Sequence, residues 1–256
     1  SSGNIWSGGY YNLKEIDYSR KNIRHFPGLN GITAIIEKDS THMWIGTSTG
    51  LYLLEKATGK YTYIQMPVES YYIYSLCQAS DGMLYIGTNN AGLLVYDTTK
   101  NTFRHYHRDN CALISNNIYT LLSDGKGNIF LSTEHGLSTF YPVEETFHNW
   151  TKEQGLKSDH FNAASGTLRK NGNFIFGSTD GAIEFNKDMI LPRDYKFKMV
   201  FSDLRVFYQT VYPKDEGSPL ILDIDETKTL RLKYNQNIFS LQVSDINYDY
   251  PSLILY

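Results

Sequence analysis

The stretch Asp81-Gly82-Met83-Leu84-Tyr85-Ile86-Gly87-Thr88 decides the fold, because the chain repeats it. A polar turn leads into an aromatic-led apolar run that ends in Gly-Thr, and a second apolar run opens at Gly92-Leu93. Trp44-Ile45-Gly46-Thr47 precedes Gly50-Leu51 in the same way, and Phe130-Leu131-Ser132-Thr133 precedes Gly136-Leu137. Looser copies lie outward on both sides, at Trp6-Ser7-Gly8-Gly9 and at Ile175-Phe176-Gly177-Ser178 before Gly181-Ala182. The anchors Trp6, Trp44, Tyr85, Phe130 and Ile175 follow one another at intervals of 38, 41, 45 and 45 residues. A period of ~40–45 residues built from strands is that of a β-propeller blade.

A second register supports the first. Twelve residues before three of the anchors stand Ile32, Ile73 and Ile118, each opening another apolar run. Each full repeat therefore reads as four strands. In the second repeat these are Ile32 to Ile36, Met43 to Thr47, Leu51 to Leu54 and Tyr61 to Ile64. The inner turns carry Asp81-Gly82, Gly125-Lys126-Gly127-Asn128 and Asn171-Gly172, residues that accept the positive φ of tight hairpins. The near-continuous apolar runs fit strands covered on both faces, and no segment keeps a helical period. Trp44, Tyr85 and Phe130 are expected to fill the space between neighbouring blades. The Gly and Thr behind them are read as turn and edge residues; Gly46, Gly87 and Gly177 match no nucleotide fingerprint.

The repeat stops near Pro192-Arg193-Asp194. Counting back twelve from Trp6 runs off the chain, so the first blade is expected to lack its innermost strand, with further blades upstream. After the boundary come three strand-like segments of a different kind: Phe197 to Tyr208, Thr229 to Tyr234 and Ile238 to Tyr248. An Ig-like sandwich needs about seven strands, and roughly half would be present. The fold class expected is all-β. About five propeller blades of an incomplete array occupy 1–191, and the first part of an Ig-like β-sandwich occupies 197–256.

Bulk properties narrow the function. A formal charge of −3 over 256 residues offers no electrostatic footprint for nucleic acid. No apolar stretch reaches membrane-spanning length, and Ser1-Ser2-Gly3-Asn4 is not a signal peptide, so any anchor is expected outside this chain. Two cysteines, Cys77 and Cys111, are too few for a disulfide scaffold and read as free thiols. There is no His-Glu-x-x-His, Cys-x-x-Cys, Gly-x-Ser-x-Gly or phosphate loop. Asp223-Ile224-Asp225-Glu226 lacks the Gly and closing Glu of a calcium loop and reads as a solvated acidic turn. No catalytic set, metal site or cofactor is expected.

These residues resemble a known family. Gly3-Asn4-Ile5-Trp6, Trp44-Ile45-Gly46-Thr47 and Asp81 to Thr88 look like the two-component-regulator propeller repeat, and Asn173 to Gly181 resembles the repeat that ends such an array. Leu204-Arg205-Val206-Phe207 and the run from Leu230 to Ser240 are similar to the tyrosine-rich sandwich that follows the propellers. Ser7 and Ser132 depart from the pattern, at positions where Ile and Gly are usual. The resemblance is to the periplasmic sensor region of hybrid two-component systems of Bacteroidetes. It implies oligosaccharide binding, control of glycan-utilisation genes and signalling to a histidine kinase. It also implies a homodimer in the full-length sensor, with the membrane segment outside this chain.

Propeller geometry selects the candidate residues. The loops from strand four to the next strand one, and from strand two to strand three, emerge on one face. Here they carry Tyr71, Tyr72, Asn89, Asn90 and Asn116, then Glu134, His135, His160 and Asp180. Planar hydrogen-bonding groups beside aromatic faces suit carbohydrate, although turns favour Asn and Asp for backbone reasons too. His135 and His160 with Glu134 and Asp180 could also do general acid–base work, so a propeller lyase is the alternative. A pure protein-interaction scaffold remains open for any propeller.

Overall fold

The computed structural model describes residues 3–17, 19, 21–68, 72–186 and 199–245. The chain divides into two compact units, Ser1–Leu191 and Pro192–Tyr256.

The first unit is a series of antiparallel sheets, each formed by consecutive strands. Blade one pairs Ile5–Gly8, Leu13–Asp17 and Asn22–Phe26. Blade two contains Ile32–Glu37, His42–Thr47, Gly50–Glu55 and Tyr61–Ile64. Blade three contains Ile73–Gln78, Leu84–Thr88, Leu93–Asp97 and Thr102–Tyr106. Blade four contains Ile118–Ser123, Ile129–Thr133, Gly136–Tyr141 and Thr146–Trp150. Blade five pairs Phe161–Leu168, Asn173–Ser178 and Gly181–Asn186. The innermost strands of blades two, three and four open at Ile32, Ile73 and Ile118, where the sequence register puts them. One 3-10 turn, Lys152–Gln154, interrupts the strands; Thr151 and Gln154 cap it reciprocally.

The anchors are core residues. Trp44, Tyr85 and Phe130 are 1%, 0% and 2% exposed, and each meets side chains of the following blade. Trp44 packs in a cluster with Ile73, Leu84 and Leu94 of blade three, Tyr85 with Ile118, Leu131 and Phe140 of blade four. The Phe130 ring lies 4.4 Å from that of Phe174 in blade five. The core is thus a stack of layers between sheets, and large rings are what can span it.

The Gly-Thr pair needs a correction. Gly46 and Gly87 lie inside strands rather than at turns. A Cβ on Gly46 would stand 2.7 Å from Ile73 Cγ2, and one on Gly87 would stand 2.8 Å from Ile118 Cγ2. Gly8 meets Ile32 in the same way. The missing side chain lets the next blade's opening Ile approach the backbone. The Thr, by contrast, is turn chemistry: the Oγ1 atoms of Thr47, Thr88 and Thr133 donate to the carbonyls of Gly50, Gly92 and Gly136.

In the second unit Met199–Val206 lies between Gln209–Thr210 and Phe239–Asp245. Phe207 and Tyr208, at φ 50° and 67°, form the hairpin turn rather than extending the strand. Thr229 to Tyr234, expected as a strand, is irregular, and Tyr234 is exposed. Its alternation is that of a strand, but among the described residues no neighbouring edge pairs with it. The expected boundary at Pro192-Arg193-Asp194 and the stretch 246–256 lie outside the described residues.

Candidate functional site

The two loop sets do share a face, and backbone hydrogen bonds join them. Asn89 N donates to the Tyr72 carbonyl at 2.9 Å, Gly92 N to that of Asn116 at 2.9 Å, and Thr179 N to that of His160 at 3.0 Å. Each bond ties a loop between strands two and three to a loop that ends at an innermost strand.

One part of this face is a cavity of about 670 Å³. Met66, Pro67 and Val68 form an apolar wall; Asn90, His105, His107, Asp109 and Asn116 supply polar groups. Asn90 sits at φ 65° and its backbone N–H donates to Asn117 Oδ1 at 2.8 Å. Asn116 Oδ1 accepts from Arg108 N at 2.9 Å, so that side chain is partly spent on its own loop. His105 Nε2–H donates to the Ala91 carbonyl at 2.6 Å, which fixes its ring. The His107 ring stands 4.8 Å from that of His105, and its Nδ1 lies 3.4 Å from Asp109 Oδ2.

The other part gathers around Glu134. Its Oε2 accepts from Asn117 Nδ2 at 2.7 Å and lies 4.0 Å from His135 Nε2. His160 Nδ1 meets the Glu134 carbonyl at 3.1 Å, and the two imidazole rings are 6.4 Å apart. Asp180 faces Lys152 Nζ at 3.9 Å on blade five. Of the residues expected at the site, Asn90 and Asn116 therefore line the cavity. Glu134, His135 and His160 form a separate cluster, and Asp180 stands with Lys152 instead. Asn89 contributes its backbone, and Tyr71 lies outside the described residues.

Two tyrosines were missed. The innermost strands of blades two, three and four each carry a bulge, between Ile32 and Ala34, Ile73 and Ser75, and Ile118 and Thr120. The extra residues are Thr33, Tyr74 and Tyr119. A bulge leaves one residue unpaired and redirects its side chain. The Tyr74 ring meets that of Tyr119 edge-on at 5.1 Å and that of Tyr72 at 5.0 Å. Burial, then the neighbouring Tyr119, Tyr72 and Glu134, hold the Tyr74 phenol above its usual pKa, so it stays a neutral donor. Burial and Glu134 do the same to Tyr119. Tyr74 and Tyr119 each follow the Ile that set the register, as an ordinary strand residue would, so the sequence did not set them apart. His105, His107 and Asn117 were not among the residues singled out, although Asn117 stands directly before Ile118 as Tyr72 stands before Ile73.

Among the described residues no group of three or more His, Cys, Asp or Glu could hold a metal ion. No helix there is long and apolar enough to cross a membrane.

Comparison with known proteins meets the resemblance read from the repeat. Residues 67–90 match the family model of the two component regulator propeller, a segment running from the apolar wall through Tyr74 and Tyr85 to Asn90. A curated relative, histidine kinase P4 of Formosa agariphila, is 23% identical over 86% of this chain. The chain spans 16% of that kinase. An extracellular domain assigned to a hybrid two-component system of B. thetaiotaomicron shares 18% identity at a TM-score of 0.52, over 96% of this chain and 40% of that domain. Virginiamycin B lyase of Staphylococcus aureus shares the propeller fold at 10% identity and a TM-score of 0.55, over 73% of this chain and 67% of the lyase.

Proposed function

We propose that this chain is an extracytoplasmic, ligand-sensing part of a two-component sensor, and that the loop face of its blades binds an oligosaccharide. One observation carries the reading: the segment that matches the regulator propeller repeat also supplies Pro67, Val68 and Asn90 to the cavity and Tyr74 to the adjoining tyrosine group. Ring faces beside amides, imidazoles and a carboxylate suit a ligand with apolar C–H faces and many hydroxyls. The second unit is taken as the opening of the sandwich domain that relays the signal. The membrane segment, the kinase and a homodimer contact belong to the full-length sensor, which would act from the periplasm on glycan-utilisation genes.

Calorimetric titration against a panel of plant, host and microbial oligosaccharides tests this. A ligand should appear, and Asn90→Gly, Asn116→Ala and Glu134→Ala should each weaken it by more than any loss of stability explains. Gly is used at Asn90 because it keeps the φ 65° backbone that Ala would strain. Binding that survives all three changes would put the site elsewhere.

A lyase is the second reading, favoured by the Glu134, His135 and His160 cluster and by the fold likeness to virginiamycin B lyase. It requires sustained release of unsaturated product that His135→Ala or His160→Ala abolishes. The sensor reading expects no turnover in that assay.

A further inference from the structure

The tyrosine group has a definite electrical character. Tyr74 and Tyr119 come from innermost strands of adjacent blades, and Tyr72 leans on Tyr74 from the preceding loop. All three are half-buried, so part of each ring stays open. The Glu134 carboxylate lies within electrostatic reach of both Tyr74 and Tyr119. One of its oxygens is held by Asn117 and lies 4.0 Å from the His135 imidazole. The nearby Lys152 faces Asp180 instead.

The faces of aromatic rings are negative, and a carboxylate beside them adds a full charge. A cation placed there gains from both. An anion meets like charge from both, the negative ring faces and the Glu134 carboxylate. A neutral sugar stacks on the rings and uses the phenols as hydrogen-bonding partners without either effect.

We propose that Tyr72, Tyr74, Tyr119 and Glu134 form the subsite that sets ligand choice. This subsite takes a sugar unit bearing a protonated amine ahead of a neutral unit, and a neutral unit ahead of a uronate or sulfated one. The assignment rests on the oligosaccharide reading above. The amine sits against the rings with an N–H directed to Glu134, and the ring hydroxyls meet the phenols.

The test uses three tetrasaccharides with the whole chain, at a mildly acidic pH where the amine is protonated: glucosamine, N-acetylglucosamine and galacturonic acid. The first two differ by the acyl group that removes the charge. Glucosamine tetramer should bind roughly tenfold more tightly than its acetylated counterpart, the size of a partly desolvated cation–π contact. Glu134→Gln should shrink that ratio to about two- to threefold, the ratio being the readout whatever the change does to the acetylated form. Tyr74→Leu and Tyr119→Leu should weaken both ligands, with circular dichroism confirming the fold. Tighter binding of the galacturonate, or an amine preference unchanged in Glu134→Gln, overturns the proposal and leaves the oligosaccharide reading standing. Binding of none of the three, nor of any sugar in the wider panel, removes both.

Discussion

Gly87 shows how one atom controls the contact between two blades. Its absent Cβ would lie 2.8 Å from Ile118 Cγ2, 2.7 Å from Ser75 Oγ and 3.0 Å from the Ile118 carbonyl. Because backbone stands among these neighbours, the collision is not relieved by turning one side chain. Gly87→Ala should therefore destabilise the protein by about 1–3 kcal/mol, the usual cost of overpacking. Urea unfolding reads this directly, and an unchanged midpoint would show that the interface yields. The sequence displayed these glycines plainly but not their purpose, because the atom they avoid belongs to another blade. Cys77 illustrates the reverse, a residue read from the sequence as a free thiol and found as one. Burial pushes its thiol up to about 11. At pH 8 only about one part in a thousand would be thiolate, against roughly a quarter for an ordinary cysteine. Alkylation of Cys77 in the native protein should lag far behind that of a model thiol and accelerate in urea. Rapid native labelling would mean that blade three opens readily.

At the scale of the element, the hairpin between strands two and three is the best-defined device in the chain. Thr88 Oγ1 donates to the Gly92 carbonyl at 2.7 Å and accepts from Ala91 N at 3.2 Å, wholly buried. Val has the same shape without the hydroxyl. Thr88→Val should cost about 1–3 kcal/mol, because it leaves the buried Ala91 N–H without a partner, while the Gly92 carbonyl keeps the Thr88 N–H. The same change at Thr49, outside the strand ends, should cost less than half as much; equal losses at both positions would refute the hairpin role. Such local devices were legible because they recur at the repeat period. The inner bulges recur as well, yet no residue type marks them: Thr33, Tyr74 and Tyr119 follow Ile like any ordinary strand residue. Alternation predicted a strand at Thr229 to Tyr234, and there it failed, since period two describes a face to be covered and not the partner that covers it. The site was half legible for a related reason. Repeat geometry placed Asn90, Asn116, Glu134 and His135 on one face, whereas the separation into a cavity and a tyrosine group depends on side-chain directions between blades.

For the whole molecule, the contacts that hold blades together are of one kind and those within the second unit are of another. Blade faces meet through Trp44, Tyr85 and Phe130, whereas the sheet Met199–Val206, Gln209–Thr210 and Phe239–Asp245 has no part in those clusters. Among the described residues the second unit buries Leu204 and Leu220 but exposes Phe201, Phe239 and Leu241. That is a weaker core than the blades have, so the two units can unfold as separate steps. The composition supplies a clean reporter, because all three tryptophans, Trp6, Trp44 and Trp150, fall in Ser1–Leu191. Tryptophan fluorescence thus follows the blades alone, while far-ultraviolet circular dichroism follows every strand. The two probes should give different unfolding profiles in urea. Gly46→Ala, which crowds Ile73 across blades two and three, should move the fluorescence transition to lower urea, a stability loss of about 1–3 kcal/mol, and leave the remaining dichroism step where it was. Coincident profiles, shifted together by Gly46→Ala, would mean that the two units fold as a single cooperative body.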